Sequence, residues 1–449
     1  MDTSHSISPD MTAAAHEAFA SDRAHVIAKN AVTSAGVRDA ARVPEAAALA
    51  TTTFDIQLEQ GDITNQKRSG RCWMFASLNT MRFRVMKKLN LKTFELSQAY
   101  PLFWDKFERS NWFFENVIES ADQPLDGREL TFLLADPLCD GGQWDMFRSL
   151  VKKYGVVPKE AMPETVSSSN TSDLNKYLTR YLRGGAKRLR ETIAAGASAD
   201  DVQAMKAELL EGVYRALAIC LGEPPATFEA RIRDKDNELV VNGTYTPQQF
   251  FDEFVGMDLD DYISVINAPT PDKPFLRSYT VKYLGNLVED GGVRYVNLPI
   301  ESLKRLAVAQ LKDGLPVWFG SDVDQGFLRK DGVLDPDALD VDTLFDLPIE
   351  AGLSKAERLQ YGESLMTHAM TIQGVNLDDA GEPTRWRIEN SWGDDRGKKG
   401  YDIGSAKWFD EYVYQVVVDK KYLTAEELAA YESDPIGLAP WDPMGSLAD

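Results

Sequence analysis

The chain has 449 residues, 43% of them apolar and 27% charged, with a formal net charge of -21 at pH 7. This balance belongs to a folded globular chain with a sizeable core and excludes a disordered or fibrous one. The negative charge argues against a general affinity for nucleic acid or anionic membrane, which both need a positive field. Three cysteines, an odd number in a long chain, point to free thiols and a reducing compartment. No basic stretch followed by an apolar run opens the sequence, and no run of 18 apolar residues occurs in it, so the expected address is the cytoplasm.

Residues 1–60 form an Ala-rich arm with helical stretches, for which Ser8 or Asp10 supplies a cap, ending in the extended-looking TTTFDIQLEQ. From 61 to 160 helical patterns dominate. Met74, Phe75, Leu78, Met81, Val85 and Leu89 recur at steps of one, three or four and predict a helix just after Cys72. Residues 161–265 read as a charged helical insertion, as in ADDVQAMKAELLEGVYRALAICLG. Across 266–430 the period falls to two: SYTVKYL, GVRYVNL, LPVWFGSDV, HAMTIQGVNL, TRWRIENSW and EYVYQVVV predict strands, with a helix at IESLKRLAVAQLKDG. Residues 431–449 form a tail. Helices first and a sheet later favour α+β over an alternating βαβ design.

A thiol with a pKa of about 8.5 is mostly protonated near neutrality, so a nucleophilic cysteine needs an imidazolium partner and gains from a helix N-terminus. Cys72 has the helix position. Of four histidines, His5, His16 and His25 fall in the arm, leaving His368, at the start of a strand, as the candidate base. Asn390, at the end of the next strand-like run, can accept a hydrogen bond from the far imidazole nitrogen, with Trp392 to cover that bond. Gln66, six residues before Cys72, can donate to an oxyanion alongside the Cys72 backbone N–H. Singly, each has an ordinary explanation: a packed thiol, a strand-start histidine, a turn asparagine, a surface amide. The order Gln, Cys, His, Asn, with Trp73 after the cysteine and Trp392 after the asparagine, selects catalysis. Cys139 and Cys220 read as packing residues.

The segments QKRSGRCW, THAMTIQG and ENSWG resemble the active-site blocks of papain-like cysteine peptidases. The long Cys-to-His interval, DGGQWDM, KDGLPVWFGSDV and the tail LAPWDPMGSLAD resemble the intracellular aminopeptidase C and bleomycin hydrolase branch. The resemblance implies a papain-like fold, a helical half plus a β-barrel half, with an N-terminal hook and an inserted helical region that join subunits in a homohexamer. It implies Cys72 as nucleophile, His368 as acid and base, Asn390 as imidazole orienter and Gln66 as oxyanion donor. Gly141, Gly142 and Trp392 are the substrate-binding expectation, with glycine permitting close backbone approach.

The resemblance also lays the tail in the cleft, so that a terminal carboxylate meets the free amino group of a peptide and only N-terminal residues are removed. The chain runs to Asp449, one residue past Ala448, so either Asp449 is trimmed or the carboxylate is displaced. No cofactor and no metal is expected, since H-E-x-x-H is absent and the remaining histidine is already used. The expected partners are peptide substrates and further copies of the chain, with no nucleic acid and no membrane. The competing readings are a papain-like endopeptidase, a catalytically silent scaffold or chaperone ring, and acyl transfer of the transglutaminase kind, which would prefer an acidic residue in place of Asn390.

Overall fold

The computed structural model describes residues 5–447 apart from 50, 51, 60, 350 and 351. The helix anticipated after Cys72 spans Cys72–Leu89. Asn90, in the left-handed region at φ 55°, ends it by donating its N–H to Met86 O, and Lys87 and Lys88 in the last turn suit the negative helix end. The apolar spacing predicted a single buried face, yet every residue from Cys72 to Arg82 is buried. The reason is position: this helix lies between the helices and the sheet, so it has no solvent face along its first turns.

On one side of it pack the helices Ala99–Glu119 and Trp144–Tyr154, and beyond them the long pair Ser172–Ala194 and Ala199–Leu221. Ser198 and Asp201 form a capping box at the start of the second of these, and Gly222, at φ 84°, closes its end. The 161–265 span also holds a hairpin, Phe228–Arg233 with Leu239–Tyr245. Its charges suggest a helix, but the alternation places Phe228 and Ala230 inward and Glu229 and Arg231 outward.

The other side is a twelve-stranded sheet. At its centre run Tyr262–Ile266, Val413–Asp419, Val317–Ser321, His368–Leu377, Pro383–Glu389 and Tyr401–Ser405, in that spatial order. The extended stretch of the arm contributes Ile56–Gln57, which pairs with His368–Leu377. Two large cores result. One joins the Cys72 helix to the helical region, and the second, around Trp386, Trp408 and Val416, fills the sheet. The Cys72 helix is stitched to the His368 strand by Thr371 Oγ1 donating to Ala76 O at 3.2 Å, and to the neighbouring strand Val317–Ser321 by Trp318 Nε1 donating to Trp73 O at 3.2 Å. The first two helices, Pro9–Ser21 and Arg23–Ala35, bury no residue.

Candidate active site

Cys72 is the first residue of its helix, with Arg71 as N-cap. Its N–H therefore precedes the intrahelical ladder and points out of the positive helix end. The loop leading into it is fixed from both sides. The buried Arg71 guanidinium forks onto Glu164 at 2.9 and 2.8 Å, and Gly70 donates to Asp140 Oδ2 at 3.0 Å. Burial alone would raise the Asp140 pKa. Lys106 beside it, with hydrogen bonds from Thr171 and Asn175, instead holds the carboxyl well below the usual range. Trp73 Nε1 donates to Asp140 O at 2.7 Å, which ties the residue after the thiol to the same anchor.

The strand His368–Leu377 runs antiparallel to Val317–Ser321 with His368 opposite Ser321. This register brings the strand start onto the thiol, where Ala369 donates its N–H to Cys72 Sγ at 3.4 Å. His368 Nε2 lies 3.0 Å from Asn390 Oδ1, leaving Nδ1 as the ring nitrogen for proton exchange with the thiol. The Trp392 ring stacks on the imidazole with centroids 4.7 Å apart and planes 28° apart, so it covers the hydrogen bond. Burial pushes His368 down to about 4, against the upward pull of Asn390 and Asp324, with Arg329 adding to the fall. An imidazolium here therefore depends on a nearby thiolate.

Asn390 Oδ1 also accepts from the Ser391 N–H at 2.8 Å, and Asn390 Nδ2 donates to Asp402 Oδ2 at 3.0 Å. Gln66 is buried rather than a surface amide. Its Oε1 accepts from Ser391 Oγ at 2.7 Å, and one N–H of Nε2 goes to Ser69 O at 2.7 Å. That leaves the second N–H of this amide for an oxyanion. The Gln66 backbone N–H donates to Ser391 O at 2.8 Å, joining the loop before Cys72 to the loop after Asn390.

Gly141 and Gly142 border the same region, and packing explains the second glycine. A Cβ on Gly142 would lie 2.4 Å from Trp73 Cε2. Gly141 O accepts from Arg109 Nη2 at 2.9 Å, so this carbonyl is already engaged. Cys139 accepts from Arg109 Nη1 at 3.2 Å and is pushed up to about 11 by burial, while Cys220 packs against the helical core. Trp392 is placed on the imidazole.

The tail returns to this edge. Ile436–Leu438 pairs in parallel with Arg277–Val281, Lys273 Nζ meets Asp442 Oδ2 at 2.8 Å, and the Arg128 guanidinium lies 3.6 Å from the Trp441 ring centroid. Ser446 O accepts from Gln143 Nε2 at 2.7 Å, and Ser446 Oγ donates to Met366 O at 2.5 Å. Leu447 helps line a cavity of about 360 Å³ with Gly141, Phe113, Met146 and Pro440. Ala448 and Asp449 lie outside the described residues. A hollow of about 800 Å³ opens beside Trp441, Asp442 and Ser446, and another of about 680 Å³ beside Lys355 lies apart from the thiol.

Sequence reasoning did not single out Asp402, Ser391 or the Lys273–Asp442 anchor. None of these carried a sequence signal: Asp402, between Tyr401 and Ile403, reads as an ordinary acid, and only the pairing of its strand with the run leading to Asn390 buries it.

Comparison with known proteins agrees with this arrangement. The Peptidase C1-like family matches residues 6–445. Aminopeptidase C of Streptococcus thermophilus is 50% identical over 443 residues, covering 99% of each chain. Bleomycin hydrolase of Gallus gallus is 45% identical over 399 residues, covering 88% of each. The crystal structure of pepw from Lactobacillus rhamnosis HN001 superposes with a TM-score of 0.96 at 49% identity, covering 99% of this chain and 100% of that one. With a thiol on a helix end, an imidazole on a strand start and this match along nearly its whole length, the chain belongs to the Peptidase C1-like family of papain-like cysteine peptidases, in its aminopeptidase C and bleomycin hydrolase branch.

Proposed function

We propose that the cysteine aminopeptidase activity of this chain runs through Cys72 as nucleophile, His368 as acid and base, Asn390 as imidazole orienter and Gln66 as oxyanion donor. The single observation that carries this reading is the chain of contacts from Cys72 Sγ to the Ala369 N–H and from His368 Nε2 to Asn390 Oδ1. The Cys72 thiolate attacks the carbonyl carbon after the N-terminal residue, and the oxyanion takes hydrogen bonds from the Cys72 N–H and the free Gln66 N–H. The C–N bond then breaks as the imidazolium gives its proton to the departing amine, leaving a thioester. His368 takes a proton from water, hydroxide adds to the thioester, and Cys72 leaves with the acid product free.

The tail supports removal of N-terminal residues over internal cutting, because its described end already sits against Gln143 and Met366. A carboxylate at its end, from Ala448 or Asp449, pairs with the ammonium of the substrate. Likeness to bleomycin hydrolase supports acceptance of amides beyond ordinary peptides, including bleomycin-type ones. Three cysteines outside any disulfide support a cytoplasmic address. The two helices with no buried residue support assembly of several copies, as a homohexamer.

The test compares the full chain with chains ending at Ala448 and at Asp434 on free and N-acetylated peptides. Removal of the tail is expected to admit blocked substrates and lower kcat/KM on free ones. Unchanged discrimination after truncation to Asp434 rules the tail out as the selector. Stoichiometric alkylation of Cys72 with turnover intact rules out the thiol.

A further inference from the structure

Asp402 stands behind the site, on the strand Tyr401–Ser405 opposite Ile388. Its side chain is buried and no substrate could reach it. Yet it accepts the hydrogen bond that Asn390 donates, and together with the Ser391 N–H it sets which way that amide points. An Asn amide has nearly the same shape in its two orientations, so its partners choose between them. Asn390 Oδ1 faces two groups, His368 Nε2 at 3.0 Å and the Ser391 N–H at 2.8 Å, while Asn390 Nδ2 faces the Asp402 carboxylate at 3.0 Å. An ionised carboxylate only accepts, so it locks the amide with its oxygen on the imidazole.

The surrounding backbone keeps room for this carboxylate. A Cβ on Gly397 would lie 2.9 Å from Asp402 Oδ1, and one on Gly332 would lie 3.1 Å from it, with both glycines at positive φ. Two loops thus close over a carboxylate by using the only residue that fits both the angle and the space.

We propose that Asp402 is a positioning residue of the reaction: its carboxylate fixes the Asn390 amide against His368, and through that amide its negative charge favours the imidazolium of the Cys72–His368 pair. This rests on the assignment of Cys72, His368 and Asn390 made above. The charged groups that bear on Asp402 are Arg396, in the loop before its strand, and Arg329, in the loop following Phe327–Leu328, with His368 behind Asn390. Asp324 and Arg329 act on His368 itself. Burial pushes Asp402 up to about 6, with the Asn390 hydrogen bond and the two arginines pulling it back. The charge is therefore present above pH 6 and lost below it.

Two variants separate orientation from charge. D402V removes the acceptor, and D402N keeps an acceptor oxygen but removes the charge. D402V is expected to lower kcat roughly ten- to hundredfold with KM nearly unchanged, since a buried donor is left unsatisfied and no substrate contact is lost. D402N is expected to fall less and to lose the inflection near pH 6 in kcat/KM. In both, the rate of Cys72 alkylation by iodoacetamide should rise only at higher pH than in the native chain, because the ion pair is weaker. D402V with native kcat and a native alkylation profile overturns the proposal. If D402V fails to fold by circular dichroism, D402N decides alone, and a native pH profile in it overturns the role of the charge. C72A is the control: turnover surviving in C72A refutes the catalytic assignment, whereas silent Asp402 variants beside an inactive C72A refute only this inference.

Discussion

At the scale of one residue, Asp402 also leaves a mark on stability. In the unfolded chain its carboxyl titrates near the ordinary aspartate value, while burial in the folded state moves it up to about 6. A raised carboxyl pKa means the folded state holds the proton longer, so stability is lost as pH rises from about 4 to about 6. The shift corresponds to about 3 kcal/mol, fully felt at neutral pH and absent below pH 4. D402N carries no such charge, so it should unfold at a higher temperature than the native chain above pH 6 and at nearly the same temperature at pH 4. Differential scanning calorimetry across that range checks it, and a pH-independent difference would remove burial of charge as the cause. A residue that weakens the fold at working pH and sits one contact behind the imidazole fits the general trade between stability and activity.

At the scale of the element, the long helix Ser172–Ala194 carries two adjacent glycines with opposite surroundings. A Cβ on Gly184 would meet nothing within 4 Å, whereas one on Gly185 would lie 2.8 Å from Phe114 Cε1 and 3.1 Å from Leu209 Cδ1. In a helix interior alanine is better than glycine by roughly 0.5–1 kcal/mol. Gly184→Ala should therefore raise the urea midpoint, and Gly185→Ala should lower it, by about 1–3 kcal/mol of overpacking. Equal shifts for the two would mean that this helix and Ala99–Glu119 are not packed as closely as these distances state. The contrast also shows what sequence can and cannot disclose. Helix and strand periods were legible, and so was the Gln66, Cys72, His368, Asn390 series, because few side chains can do this chemistry and only His368 lay outside the arm. The long-range contacts were not legible. Gly142 looked like a substrate platform, and only the fold shows the Trp73 ring where its Cβ would be. Phe228–Arg233 looked helical because its outward residues are charged, and Asp402 looked like any strand acid because its partner is across the sheet. The all-round burial of Cys72–Arg82 follows from a layer on each side, which a periodic pattern on one helix does not encode.

At the scale of the whole molecule, the arm and the charge set the conditions for assembly. Pro9–Ser21 and Arg23–Ala35 bury nothing, and Met11 and Ile27 are 59% and 58% exposed. Helices of 13 residues are marginal alone in water, so their order has to come from packing. Within the chain the second of them is held by His25 Nε2, 3.4 Å from Asp346 Oδ2, and Arg38, just beyond both, donates to Phe327 O and Asp324 O. Apolar side chains held out on an arm suit burial against another copy, as the proposed homohexamer requires. Opposing this is the net charge of -21 on each chain, whose repulsion between copies reaches about 30 Å at 0.01 M salt and about 10 Å at 0.1 M. Sedimentation of the full chain should therefore give a multi-subunit species that strengthens as salt rises, the reverse of an assembly held by opposite charges. A chain starting at Val37 should sediment as a smaller species at every salt concentration while keeping its circular dichroism in the sheet region. A full chain that stays monomeric at 0.5 M salt, or an arm-less chain of unchanged mass, would show that the arm is not the joint between copies.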